Sequence, residues 1–172
     1  MIYKNIYKSP LGNITLTSNG DTLTGLVFEN QKYQGHVLLQ NSETKELPVF
    51  EETKLWLGIY FQGKEPDFMP KISLENTTSF RKEVAEIMLT IPYGQTMTYG
   101  EIADILAKRR GVAKMSARAV GGAVGHNPIS IIVPCHRVVG ANGNLTGYAG
   151  GMERKIALLK LEQVDLSKYF KL

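Results

Sequence analysis

A change of hydrophobic rhythm near residue 76 constrains this chain more than any other feature of its sequence. Before it, Ile14 and Leu16 alternate with threonines, and Asn19-Gly20-Asp21 is a turn signal ahead of Leu23 to Phe28. That is the period of two of a strand whose faces differ. After it, Phe80, Val84, Ile87 and Met88 fall at i, i+4, i+7 and i+8, the spacing of a helix with one apolar stripe. Between the two lies Gly63 to Asn76, with Pro66 and Pro70, a stretch that suits neither pattern. The expectation is an α+β protein: an N-terminal unit over 1–75 and a second unit over 76–172. The N-terminal unit should hold a small antiparallel sheet, covered by a helix over Glu51 to Phe61 that carries Leu55, Trp56, Ile59 and Tyr60 at helical spacing.

The second unit reads as mainly helical. Pro92-Tyr93-Gly94 stops the Thr78 helix, and Thr98-Tyr99-Gly100-Glu101 has the form of a capping box, which starts a short helix through Ile102, Ile105 and Leu106. A third helix follows from Ser116. Its body, Ala117 to Gly125, projects almost nothing large except Arg118, so another backbone can approach it closely. Two short helices joined by a basic connection (Lys108, Arg109, Arg110, Lys114) suggest a helix-turn-helix, winged-helix-like arrangement. The apolar run Ile129 to Val133, bounded by prolines, reads as a buried strand. Val138-Val139 and Leu145 flank a turn at Gly140 to Asn144, and a last amphipathic helix contains Ile156, Leu159 and Glu162.

Charge is divided unevenly between the halves. Residues 1–78 hold seven basic and nine acidic side chains, whereas residues 79–172 hold thirteen and seven. The positive excess therefore lies wholly in the helical half and favours a polyanionic partner there, although a merely solvated basic face has the same composition. No stretch approaches the roughly 20 apolar residues that cross a bilayer, and the start, MIYKNIYKSPLGN, lacks a signal-peptide core. A single cysteine leaves no internal disulfide and no Cys-rich metal site. His36, His126 and His136 form no ligand cluster in sequence. The chain is thus expected to be cytoplasmic and monomeric, without membrane contact, metal or cofactor.

A lone cysteine is most often a small buried hydrophobe. Cys135, however, lies between a proline-ended apolar run and His136-Arg137, where positive charge can favour the thiolate. In an extended strand Cys135 and His136 would point to opposite faces, so joint action requires a bend, which Pro134 can supply. Glu162 is a candidate to orient the histidine.

Pro134-Cys135-His136-Arg137-Val138, preceded by Asn127-Pro128 and followed by Tyr148-Ala149-Gly150-Gly151, resembles the methylated-DNA protein-cysteine methyltransferases, also called O6-alkylguanine-DNA alkyltransferases. The resemblance runs from about Phe80 to Glu162 and is loose before residue 75, around Ser9-Pro10-Leu11-Gly12 and Gly25-Leu26. It implies direct reversal of O6-alkylguanine damage in double-stranded DNA, with O4-alkylthymine as a second candidate substrate. On that resemblance Cys135 is the alkyl acceptor, His136 its base through a water, Glu162 the group that orients His136, and Asn127 the brace of the active-site turn. Arg118 fills the gap left by an extruded nucleotide, and Tyr99 rotates and hydrogen-bonds the guanine. The carbonyls of Cys135 and Val138 receive its amine, the Ala149 amide faces O6, and Tyr148 walls the pocket. Ser116, Ala119, Gly121 and Gly122 belong to the DNA-facing helix. Ala149 stands where a serine is common in the family, and Ser130 where some relatives have proline. The connection from Lys108 to Met115 is longer than in some relatives.

Two rivals remain at this point. A Cys-His-Glu hydrolase could use the same three groups for acyl transfer. A lesion-binding module without transfer would share the fold, but in such relatives the cysteine is replaced.

Overall fold

The computed structural model describes residues 1–32 and 41–170; His36 lies outside them. A four-stranded sheet has the order β3-β2-β1-β4, built from β1 (Ile2–Ser9), β2 (Gly12–Ser18), β3 (Leu23–Phe28) and β4 (Ser42–Thr44). β1, β2 and β3 form an antiparallel meander, and β4 adds parallel to β1. The alternation at Ile14 and Leu16 turns both side chains inward, where neither retains any exposure. Helix α1 (Pro48–Tyr60) covers this face. It starts three residues before the predicted Glu51, because Pro48 at its first turn has a φ already suited to a helix.

The stretch from Gly63 to Asn76 is tied to the sheet. Leu23 donates its amide to Lys71 O at 2.8 Å, and Ser73 returns a bond to Leu23 O at 2.9 Å. A second segment docks further along the same edge of β3, where Leu26 donates to Pro128 O and receives the Ser130 amide, both at 2.9 Å. The outer edge of the sheet thus positions the segment that leads to Cys135.

In the helical half, α2 (Ser79–Met88) is capped by Thr78, and α3 (Tyr99–Arg110) begins with the expected reciprocal Thr98–Glu101 box. Gly111, at φ +66°, ends α3 in the left-handed conformation that glycine adopts without strain. Helix α4 (Ala117–Gly125) forms despite three glycines. Ser116 Oγ caps it by accepting the Ala119 amide at 3.1 Å, and Val120, Ala123 and Val124 are buried. Packing therefore outweighs propensity here. Short strands β5 (Met97–Thr98) and β6 (Val138–Val139) pair in parallel, and α5 (Met152–Leu161) closes the molecule. One continuous apolar cluster runs from Ile14 and Phe28 through Tyr60 and Val84 to Val120, Val133 and Leu158. No helix among the described residues is long and apolar enough to cross a membrane.

Three sequence expectations need correction. Ile129 to Val133 is a buried turn-rich segment, not a strand: only Ile129 makes a bridge, to Leu26. Its remaining backbone groups bond locally, Ile132 to Ser130 O and Val133 to Ile129 O, or to the side chain of Asn127. Val138-Val139 finds its partner in Met97-Thr98, not in the Leu145 side of the loop, while Gly140 closes that loop by donating to Asn144 O at 2.7 Å. Glu162 stands one residue beyond α5, as its C-cap.

Candidate active site

Asn127 organises the approach to the cysteine. Its Nδ2 donates to Val133 O at 2.8 Å and Ile129 O at 3.3 Å, and its Oδ1 accepts the Ile129 amide at 3.1 Å. These bonds replace the ladder a strand would have supplied. Within the loop they close, Ile131 is held at φ +69°, a conformation that a β-branched residue adopts only under constraint. The chain then makes a 3-10 turn over Cys135–Arg137, closed by Arg137 donating to Pro134 O at 3.0 Å. This is the bend the Cys-His pair requires.

His136 and Glu162 meet on the inner side of that turn, both essentially without solvent exposure. Nε2 lies 2.6 Å from Glu162 Oε2. The other carboxylate contacts are Arg137 Nε to Oε1 at 2.8 Å, Arg137 Nη2 to Oε2 at 3.2 Å, the Gly94 amide to Oε1 at 3.0 Å and the Tyr60 hydroxyl to Oε2 at 2.6 Å. Burial alone would raise the Glu162 carboxyl, but the hydrogen bonds and charges of His136 and Arg137 outweigh it and hold it at about 2. Burial lowers the His136 imidazole, against the opposing pull of Glu162. A neutral imidazole facing an ionised carboxylate must carry its proton on Nε2. Nδ1 is then the basic nitrogen, and it has no hydrogen-bond partner in the protein.

Cys135 is 4% exposed and lines a cavity of about 250 Å³ with Tyr99, Gly121, Val124, Tyr148 and Ala149. Lys32 reaches its rim from the N-terminal half, where its amide donates to Ala149 O at 3.0 Å. Burial pushes the thiol up, opposed by the Asn127 amide, the Lys155 charge and the Tyr148 hydroxyl. That hydroxyl, raised well above the ordinary tyrosine value by burial, faces Ser130 and Cys135 without closing a hydrogen bond of good geometry to either. Tyr99 hydrogen-bonds Thr146 Oγ1 at 3.0 Å.

Lys155 was not anticipated. Fully buried, it donates to Val138 O at 2.6 Å and Gly147 O at 3.1 Å, joining the cysteine turn to the Tyr148 loop. Burial lowers its ammonium to about 8, against the attraction of Cys135. The Val138 carbonyl, expected to be reserved for the guanine amine, thus already has one donor. A signal existed in the sequence: Lys155 stands three and four positions before Leu158 and Leu159, on the apolar stripe of its helix. Tyr60 was anticipated only as a core residue, and Gly94 only as a helix stop.

On the outer face of α4, Arg118, Ala119 and Gly122 are exposed and Gly121 is half-buried beside Tyr99. Lys108, Arg109 and Lys114 lie exposed in and after the last turn of α3, while Arg110 pairs with Glu83 at 2.9 Å. The structure brings Cys135, Tyr99, Tyr148 and Ala149 around one cavity, buries Asn127, His136 and Glu162 about the turn that carries Cys135, and sets Ser116, Arg118 and Gly122 on the outer surface. Among the described residues no three His, Cys, Asp or Glu side chains are grouped to hold a metal.

Comparison with known proteins agrees across both halves. A family model described as the 6-O-methylguanine DNA methyltransferase ribonuclease-like domain matches residues 2–74, and that of the DNA-binding domain matches residues 79–164. The methylated-DNA--protein-cysteine methyltransferase of Mycobacterium tuberculosis is 45% identical over 163 residues, covering 95% of this chain and 93% of the relative. That of Haemophilus influenzae is 38% identical, covering 95% and 87%. The crystal structure of Mycobacterium tuberculosis OGT in complex with DNA superposes with a TM-score of 0.79 at 42% identity, over 97% of this chain and 94% of that one. The O6-methylguanine-DNA methyltransferase of Pyrococcus kodakaraensis does so with 0.63 at 25% identity, over 95% and 100%. With both halves matched in order and this identity maintained along nearly the whole length, the chain belongs to the 6-O-methylguanine DNA methyltransferase family.

Proposed function

We propose that this protein reverses O6-alkylguanine damage in double-stranded DNA by moving the alkyl group, once and irreversibly, to Cys135. The observation that carries this reading is the site itself: the chain's sole thiol at the wall of a nucleobase-sized cavity, beside a buried His136–Glu162 pair whose basic nitrogen is unpartnered. A base inside a duplex cannot reach such a cavity, so it must first be flipped out, at a cost of a few kcal/mol. The exposed small-residue face of α4 allows close approach to the groove, and Arg118 fills the gap in the stack. Lys108, Arg109 and Lys114 supply phosphate contacts.

Within the cavity, Tyr148 walls the base, Tyr99 hydrogen-bonds it, and the amide of Ala149 faces O6. His136 Nδ1 takes the thiol proton through a solvent molecule, and Glu162 stabilises the resulting imidazolium. The thiolate attacks the alkyl carbon in line. An S–C bond forms, the C–O bond breaks, and its electron pair leaves with guanine. The thioether has no easy hydrolytic exit, so each molecule acts once. Residues 76–172 carry the DNA-binding and reacting groups, and residues 1–75 form the unit on which they rest. A lone thiol without a disulfide partner suits a reducing compartment, the cytoplasm.

The test is incubation with excess duplex carrying labelled O6-methylguanine. Transfer should stop at about one methyl group per protein, with a gain of roughly 14 Da, one CH₂, on the Cys135 peptide. Cys135→Ser should abolish it. Continued turnover, or an adduct on another residue, would sink the reading.

A further inference from the structure

From the contact between Tyr60 and the buried His136–Glu162 pair, we infer that Tyr60 is a positioning residue for alkyl transfer: from the N-terminal half of the chain, its hydroxyl shares the carboxylate oxygen that His136 faces and so tempers the basicity of the imidazole. The inference rests on the function proposed above. Tyr60 ends α1 with no solvent exposure. Its hydroxyl donates to Glu162 Oε2 at 2.6 Å, the same oxygen that His136 Nε2 approaches at 2.6 Å, and it lies 3.4 Å from Nε2 itself.

Three groups sharing one oxygen leave few arrangements of the protons. The Tyr60 proton is committed to an ionised carboxylate, so its oxygen presents only lone pairs to the imidazole. Nε2 then faces two acceptors, Glu162 Oε2 and the Tyr60 oxygen, and is satisfied only if it carries the proton. Nδ1 is thereby kept bare. Without the hydroxyl, Oε2 is shared by His136 and Arg137 alone, and a carboxylate with one donor fewer binds the imidazole proton more strongly. The ring cannot easily turn away. It stands against Trp56 at 5.3 Å, Phe61 at 5.6 Å, Tyr93 at 6.2 Å and His136 at 6.4 Å between centroids. The other charged or titratable groups around His136 and Glu162 are Arg137 within the turn, Lys155 on α5, and Tyr93 after α2, whose hydroxyl contacts Leu161 O. Of the neighbours outside the turn, Tyr60 is the one that bonds Glu162 through a side chain.

Tyr60→Phe keeps the ring and removes only the oxygen. Single-turnover transfer from O6-methylguanine duplex is measured from pH 5 to 9 for wild type and variant. The variant should be about three- to tenfold slower near neutrality, the scale of one net hydrogen bond. Its acid limb should lie at higher pH, because a more basic His136 remains protonated further up the range. A uniform loss with an unmoved limb marks a merely structural role and overturns the inference, as do superimposable profiles. Two-bond proton–nitrogen spectra of His136 over the same pH range read this without any reaction: Nε2 carries the proton in both proteins, and the imidazole of Tyr60→Phe takes up its second proton at higher pH than that of wild type, an unmoved titration again counting against the inference. If wild type itself transfers nothing, the proposed function fails, while the spectra still decide the role of Tyr60.

Discussion

His136 and Glu162 touch at 2.6 Å in a site closed to solvent, yet the carboxyl is held down at about 2 because the hydrogen bonds and charges of His136 and Arg137 outweigh the cost of burial. A carboxyl whose folded-state value lies below its unfolded value stabilises fully above the latter, and this stability is lost as pH falls through the former. Glu162, lowered from 4.5 to about 2, should therefore contribute on the order of 3 kcal/mol above pH 5 and lose it between pH 4.5 and 2. His136, lowered by burial, adds a loss of the same sign that begins as pH falls through 6.5. Urea midpoints measured from pH 7 to 3 should fall steeply in wild type and less steeply in Glu162→Gln, whose midpoint is already low at pH 7. Parallel curves would contradict the assignment.

Lys155→Met separates charge from packing. The substitution removes the cation beside Cys135 and leaves the carbonyls of Val138 and Gly147 without its donors. Unpaired carbonyls cost about 1–3 kcal/mol, but a buried ammonium is itself expensive. Stability should change by only about 1 kcal/mol, while transfer at pH 7.5 falls roughly tenfold or more because the thiol is harder to ionise. The wild-type ammonium titrates near 8, so its help to the thiolate fades above that pH and the gap between the two proteins narrows. Rates from pH 7 to 9.5 beside urea midpoints check both parts.

Asn127→Ala tests the turn before the cysteine. The Val133 carbonyl and the Ile129 amide lose this partner in a buried segment, the Ile129 carbonyl keeps only the Val133 amide, and the constrained backbone at Ile131 loses its clamp. A destabilisation of about 3 kcal/mol is expected, with slower transfer. Asn127→Asp keeps the bond to the Ile129 amide and should fall between the two. Thermal melts and single-turnover rates decide the order of the three proteins.

The α4 face separates duplex handling from chemistry. A Cβ at Gly122 meets nothing within 4 Å in the free protein, so Gly122→Ala should raise stability by about 0.5–1 kcal/mol through helix propensity. It should nevertheless weaken duplex binding by intruding on the face that approaches DNA. Arg118→Ala should slow repair of duplex far more than reaction with free O6-alkylguanine base. Titrations on duplex alongside free-base kinetics test both; equal losses on both substrates would remove Arg118 from extrusion.

The sequence made legible those parts of the structure that depend on local rules. The Thr98–Glu101 box, the start of a helix at Ser116 and the alternation at Ile14 and Leu16 each arise within a few residues, and each appears as expected. Ile129 to Val133 failed as a strand because its composition records burial but not the source of its backbone hydrogen bonds, which come from local turns, one bridge to β3 and the side chain of Asn127. At the site, Cys135, His136 and Glu162 were legible through the motif and the resemblance. Tyr60 and Lys155 were not: an aromatic on a core face and a lysine on an amphipathic helix gain their roles only from partners distant in sequence.

That distance has a consequence for how the protein comes into being. Tyr60 and Glu162 are separated by 102 positions and Leu11 and Arg154 by 143, so the entropy of closing long loops must be met before the groups around Cys135 meet. A chain whose last helix has not docked has neither Glu162 against His136 nor Lys155 against Val138, and carries Cys135 as an ordinary thiol. Competence to repair is a property of the finished molecule.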